Sequence, residues 1–243
     1  MLPVALQLWS LRDDVARDFA GTLKQVAAMG YSGVEIAGFG NLDLAAGNRA
    51  LRDAGLRVAG MHVSIQQLRA DVMQAAEQAY TLGCSNLVCP WYPPHLLGTP
   101  AAYEDLGEEL NRIGARLRAV GLRFHYHHHD FELRSTGGRH GLDWLVDACE
   151  PRNVAIEADV YWLKYAGVDP AVFLREQGRR VHLVHLKDEK ELGSGPVDFN
   201  SVFEVLDAVA AVEWLIVEQE QYTFAPLVSV QKSFAALRAM GRA

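Results

Sequence analysis

The chain has 243 residues, half of them hydrophobic, with a formal net charge of -7 and a pI near 5.7. That length suits one α/β barrel or two small domains, and Lys and Arg scattered over an acidic chain argue against a nucleic-acid phosphate track. Cys84, Cys89 and Cys149 lack CxxC spacing and no apolar run reaches the roughly 18 residues that span a bilayer, so neither a disulfide framework, a Cys-based zinc site nor a membrane segment is expected.

The chain enters an apolar pattern at Val4-Ala5-Leu6-Gln7-Leu8 with no basic region or cleavage site before it, which points to a cytoplasmic protein with reduced thiols. Short β-type runs then alternate with longer helical patterns. The runs read as strands are 4–9, 33–37, 57–62, 86–90, 122–128, 154–159, 181–186 and 214–218, eight in all. Between them, segments 16–29, 65–82 and 100–119 carry apolar residues at helical spacing, and Gly30, Gly55, Gly83, Gly121 and Gly167 stand where such helices should stop. No Pro/Gly/Ser-rich linker divides the chain. Strand, helix, glycine and strand, repeated, predict a single (β/α)8 TIM barrel over residues 1–243. An open doubly wound sheet is the competitor, but no strand leads into a GxGxxG-type phosphate loop.

In such a barrel chemistry sits at the C-terminal ends of the strands. Polar residues collect there: Gln7 and Ser10, Glu35, His62 and Ser64, His127 to Glu132, Asp159, His185 with Lys187 and Asp188, and Glu218 with Glu220. The densest group is Phe124-His125-Tyr126-His127-His128-His129-Asp130-Phe131-Glu132, which holds four of the nine histidines. Period-two alternation puts His125, His127 and His129 on one face, and Tyr126 and His128 on the other. Imidazole and carboxylate are ligands for Zn, Mn, Co and Fe(II). Asp159 on the sixth strand, His185 on the seventh and Glu218 on the eighth are therefore candidate ligands, with a fourth from the fifth strand. Asp159 read alone could equally cap the next helix. Three or four mixed N/O ligands with open positions suit a catalytic metal.

Six segments taken together are specific: Gln7-Leu8-Trp9-Ser10-Leu11-Arg12-Asp13, Gly30-Tyr31-Ser32-Gly33-Val34-Glu35, the Tyr-His-His-His-Asp-Phe-Glu run, Ala158-Asp159-Val160-Tyr161-Trp162, Val184-His185-Leu186-Lys187-Asp188 and Val217-Glu218-Gln219. In this order they resemble the sugar phosphate isomerase/epimerase family, of the xylose isomerase-like TIM barrel superfamily. The resemblance implies a divalent metal (Mn, Co, Zn or Mg) bound by a Glu, an Asp, a His and a second Glu. Asp159, His185 and Glu218 match three of these. The sequence departs at the first Glu, where His127 stands; Glu132, folding back after the strand, is the preferred fourth ligand and His127 the alternative.

The resemblance implies proton transfer next to a carbonyl through an enediolate, with Glu218 as one of its two metal-bound bases. With imidazole replacing the first Glu, His129 or His127 could be the base, and a one-base lyase of inosose-dehydratase or 3-keto-glycoside type fits as well as an epimerase. Lys187 would stand beside the developing oxyanion or bind a substrate hydroxyl. Trp9, Glu35, His62, Trp91 and Trp162 are expected to line the substrate site, although packing alone would explain each. No Arg or Lys cluster at a Gly-rich turn would cradle a phosphate, so a free keto-sugar or cyclitol is the expected substrate. Apurinic-site endonucleases share the superfamily, but the acidic chain lacks their basic groove. A barrel that only binds sugar is the reading from another class. Such barrels often pair, so a homodimer is allowed, with no interface singled out.

Overall fold

The computed structural model describes residues 1–208 and 211–243. Eight short strands form a closed parallel barrel: β1 (Val4–Gln7), β2 (Gly33–Ile36), β3 (Arg57–His62), β4 (Asn86–Cys89), β5 (Arg123–His127), β6 (Ala155–Asp159), β7 (Val181–Leu186) and β8 (Trp214–Val217). Each pairs with its neighbour in sequence, and β1 closes on β8 with Ala5 opposite Ile216. Helices follow the strands, so the outward residues bury under helices and the inward ones under each other. This is why most strands are apolar or small on both faces.

The strand readings hold in number and order; 57–62 and 181–186 match at both ends, and the other six run one or two residues long. The first is the clearest case: 4–9 ends at Gln7, because Gln7 Oε1 accepts the Trp9 N–H at 2.8 Å and turns the chain into a 3-10 helix, Leu8–Leu11. The helical segment 16–29 is two helices, Arg12–Arg17 and Phe19–Met29, broken where Asp18 adopts φ -152° and its carboxylate caps Gly21. Segment 65–82 is helical with a non-helical Asp71 inside, and 100–119 is a continuous helix, Pro100–Ala119. Gly30, Gly55, Gly83, Gly121 and Gly167 all have positive φ at helix ends, the conformation in which a Cβ would be strained. A two-stranded hairpin, Ser135–Thr136 with Arg139–His140, follows β5 and is not visible in the sequence pattern.

Two layers fill the barrel. Ala5, Ala59, Val88, Leu183, Trp214 and Ile216 form a small apolar cluster, distinct from the large one between barrel and helices. Gln7, His185 and Glu218 lie two residues on from Ala5, Leu183 and Ile216, so they share the inner face one layer toward the C-terminal ends. An apolar plug thus supports a polar layer. Register shifts fall beside two members of that layer: between Val34 and Glu35 against β3, and between Ile156 and Glu157 against β7. Each leaves one residue, Ala59 and His182, without a partner, and such bulges re-aim neighbouring side chains. The three cysteines are free and buried. Among the described residues no helix is long and apolar enough to cross a membrane.

Candidate metal centre and active site

Inward residues at the ends of β5 to β8 converge. His127, Asp159, His185 and Glu218 each offer one ligand atom, all within 4.8 Å of one another. His127, Asp159 and His185 are almost wholly buried, and Glu218 is 6% exposed. His185 Nδ1 lies 3.3 Å from Glu218 Oε2 and 4.0 Å from Asp159 Oδ2. The two carboxylate oxygens of Asp159 differ: Oδ1 accepts the Trp162 N–H at 2.8 Å and caps the helix Val160–Tyr165, while Oδ2 is buried with no hydrogen-bond partner among the described residues. The capping reading holds through Oδ1, and Oδ2 lies toward His185 at 4.0 Å. Burial pushes the Asp159 carboxyl up. Burial acts in the same direction on Glu218, but Lys187 and His185 outweigh it and hold that carboxyl well below the usual range.

A second group lies beneath. Glu35, His62, Glu157 and His185 also bring ligand atoms within 4.8 Å. Glu35 Oε2 is 2.8 Å from His185 Nε2 and 3.1 Å from His62 Nε2, and accepts from Gln7 Nε2 at 2.7 Å. Glu157 Oε2 is 3.2 Å from His185 Nε2, 3.3 Å from His62 Nε2 and 3.1 Å from His127 Nδ1. Gly60 makes room for Glu35, since a Cβ there would stand 2.4 Å from Glu35 Oε1. Burial would raise Glu157, and so would Glu35 beside it, but His185 and His127 bring it down to about 2. For His62 burial works toward the neutral ring, yet Glu35 and Glu157 push it up to about 10.

The polar floor opens into a cavity of about 390 Å³ lined by Trp9, Ala37, His62, Ser64, Pro90, Trp91, His127, His129, Glu218 and Glu220. Trp9 and Trp91 are half exposed on its walls, a geometry suited to the apolar faces of a sugar ring. His129 lines this cavity, and its Nδ1 is buried with no hydrogen-bond partner among the described residues; burial lowers its pKa to about 4, so the ring is neutral near pH 7.

Residues 23–240 match the xylose isomerase-like TIM barrel family. The chain belongs to that family. It is 27% identical over 183 residues to the inosose dehydratase of Clostridium tetani (strain Massachusetts / E88), an alignment covering 65% of this chain and 60% of that one. The inosose dehydratase of Geobacillus thermodenitrificans (strain NG80-2) is 26% identical over 182 residues, with the same coverage. The chain thus spans about three fifths of the length of these curated relatives. Among solved structures, a sugar phosphate isomerase/epimerase from Parabacteroides distasonis ATCC 8503 superposes with a TM-score of 0.89 at 22% identity, covering 98% of this chain and 96% of that one. The likeness is one of fold.

Within this xylose isomerase-like barrel the expected residues separate into three sets. His127, Asp159, His185 and Glu218 come together. Glu132, the preferred fourth ligand on sequence grounds, does not join them: its carboxylate accepts from Tyr126 Oη at 2.7 Å and from the His129 N–H at 2.8 Å. Tyr126 points outward from β5, so the chain after the strand folds Glu132 behind the sheet rather than into the mouth. Trp9, His62, Trp91, His127 and His129 line the cavity, whereas Glu35 is fully buried below it and Trp162 and Lys187 are not among its lining residues. Lys187 is 3% exposed, pairs with Glu218 Oε2 at 3.2 Å and with Glu220, and sits 4.4 Å over the Trp162 ring. It is therefore a buried partner of Glu218 and not a solvated strand-end lysine.

His125 lies inside the barrel, its Nδ1 3.3 Å from the Leu87 carbonyl. His128 faces the other way: its Nε2 accepts the Asp159 N–H at 3.2 Å, a structural tie between β5 and β6. Glu157 was missed in the sequence reading. The available signal was its place two residues before Asp159 in a strand otherwise free of polar groups, which puts both carboxylates on the inner face.

Proposed function

We propose that the protein is a divalent-metal-dependent enzyme that removes a proton from the carbon next to the ketone of a neutral keto-sugar or cyclitol, and that loss of a hydroxyl as water follows. The observation that carries this reading is the convergence of His127, Asp159, His185 and Glu218 at the floor of the cavity, with Asp159 Oδ2 buried and unpartnered. A buried carboxylate oxygen with no donor is costly, and a cation is the partner that this donor set suits. The residues thus fit the metal that the family resemblance implies. Bound there, a divalent cation would polarise the substrate carbonyl and stabilise the developing oxyanion.

This chain's own residues supply the rest. His129, whose neutral ring lines the cavity, is the base; once protonated, it can return the proton to the departing hydroxyl. Trp9 and Trp91 would hold the ring and shield the reaction from water. Lys187 secures Glu218 against rotation. Among the described residues the lining has no Arg or Lys, which supports a substrate without phosphate.

Elimination is favoured over epimerisation because one base is free. Epimerisation needs a base on each face of the carbon, and Glu218, the second candidate, is held by Lys187 and His185. The relatives named inosose dehydratase agree with this choice. A second reading, epimerisation, rests on Glu218 itself lining the cavity.

The test is incubation with inososes and keto-sugars in D2O, followed by NMR and by ultraviolet absorbance of a conjugated product. Metal-dependent deuterium entry with water loss supports the dehydratase reading. Exchange with inversion and no elimination would favour the epimerase. Ligand binding without exchange, unaffected by a chelator, would leave a barrel that only binds sugar.

A further inference from the structure

A neutral imidazole carries one lone pair and one N–H. His185 turns its two ring nitrogens toward two separate groups: Nδ1 toward Asp159 and Glu218, and Nε2 toward Glu35 and Glu157. A cation taken through one nitrogen leaves the other to donate. Access decides which. The upper group puts His127 and a carboxylate, Glu218, on the cavity wall, whereas the lower group reaches it through His62, and its carboxylates, Glu35 and Glu157, are fully buried.

We propose that Glu35 and Glu157 are positioning residues: they hold His185 with its proton on Nε2 and so aim the Nδ1 lone pair at a cation shared with His127, Asp159 and Glu218. The proposal rests on the metal-dependent reading above. Glu35 Oε2 accepts from Nε2 at 2.8 Å and is itself fixed by Gln7 at 2.7 Å. Glu157 Oε2 reaches both imidazoles of the upper group, His185 at 3.2 Å and His127 at 3.1 Å. A role in packing alone fits poorly. Each carboxylate leaves its Oε1 buried with no hydrogen-bond partner among the described residues, and an apolar pair would fill the same space at lower cost. A second cation among Glu35, His62, Glu157 and His185 would require the shared ring to give up both protons, so the lower group serves the upper one. Carboxylates that orient a metal-bound histidine in this way typically account for 10–100-fold in metal affinity.

The experiment uses the full chain, stripped by chelator and titrated with Co²⁺, with the Zn²⁺-loaded protein examined by ¹⁵N NMR of labelled histidine. One cation per chain, a His185 proton on Nε2, and about 10–100-fold weaker Co²⁺ binding with shifted visible bands in Glu35→Gln/Glu157→Gln are expected. Both single replacements are measured too, so an unfolded double variant leaves the comparison intact; each should weaken Co²⁺ binding several-fold. A proton on Nδ1 in the zinc-loaded protein, or affinity and bands unchanged in the variants, overturns the proposal alone. Two cations per chain overturn it in favour of a second site. No uptake by the unmodified protein overturns the metal-dependent reading, and the proposal falls with it.

Discussion

Asp159 Oδ1 caps the helix that follows β6 through the Trp162 N–H at 2.8 Å, and this bond leaves Oδ2 as the atom turned to the candidate metal group. The two oxygens can be separated by mutation. Asn is as good a helix cap as Asp but cannot supply a charged ligand oxygen. Asp159→Asn should therefore keep the melting temperature within a few degrees while metal content falls below stoichiometry. Asp159→Ala should lose the metal and, in addition, about 1 kcal/mol of stability. Elemental analysis beside thermal unfolding checks both, and an Asn variant with full metal content would remove Asp159 from the ligand set.

His129 is assigned as base because its neutral ring lines the cavity and it stands outside the ligand group. His129→Gln should lower substrate deuterium exchange by about 10²–10⁴-fold. Metal stoichiometry should not change. Exchange at the unmodified rate would transfer the role to His127 or Glu218.

Glu132 provides a pH signature separate from the metal group. Burial raises its carboxyl from 4.5 to about 7, against the two hydrogen bonds from Tyr126 and His129 that favour the charged form. A carboxyl raised in the folded state contributes stability that is complete below about pH 4.5, where both states are protonated. That contribution declines as pH rises and is gone above about pH 7, a change on the order of 3 kcal/mol. Denaturant unfolding of the unmodified protein and Glu132→Gln should differ by this pH-dependent amount. The same variant should bind one metal per chain; loss of metal would restore Glu132 as a ligand.

Lys187 is the buried cation that faces Glu218. Removing it strands a buried carboxylate, which costs about 3–5 kcal/mol. Lys187→Met should consequently unfold at a much lower temperature when metal-free, and a saturating divalent cation should recover a large part of the difference. Equal destabilisation with and without metal would show that the cation does not neutralise Glu218.

Gly60 tests the support beneath the site. Its missing Cβ leaves space for Glu35, and Gly60→Ala would place a carbon 2.4 Å from Glu35 Oε1. A loss of about 1–3 kcal/mol is expected from the forced shift. Affinity for Co²⁺ should fall with it, because Glu35 would leave His185 Nε2. Thermal unfolding and Co²⁺ titration check the pair of effects.

The order of strands and helices was legible in the sequence because local rules govern it: the period of apolar residues, and glycine where a helix must end with positive φ. Asp159, His185 and Glu218 were legible for a related reason, since a polar residue closing an apolar strand has few places to go other than a barrel mouth. The fourth partner was not. Glu132 and His127 compete on chemistry alone, and the choice depends on which side of β5 the chain folds after the strand; Tyr126, pointing outward, captures Glu132 there. Glu35 likewise read as a wall of the substrate site, but it lies at the level of Gln7 and beside a register shift, below the cavity and against His185. Such outcomes depend on contacts between residues far apart in sequence, as with Glu35 and His185. Local pattern specifies the elements, whereas barrel closure and its two bulges decide which side chains meet.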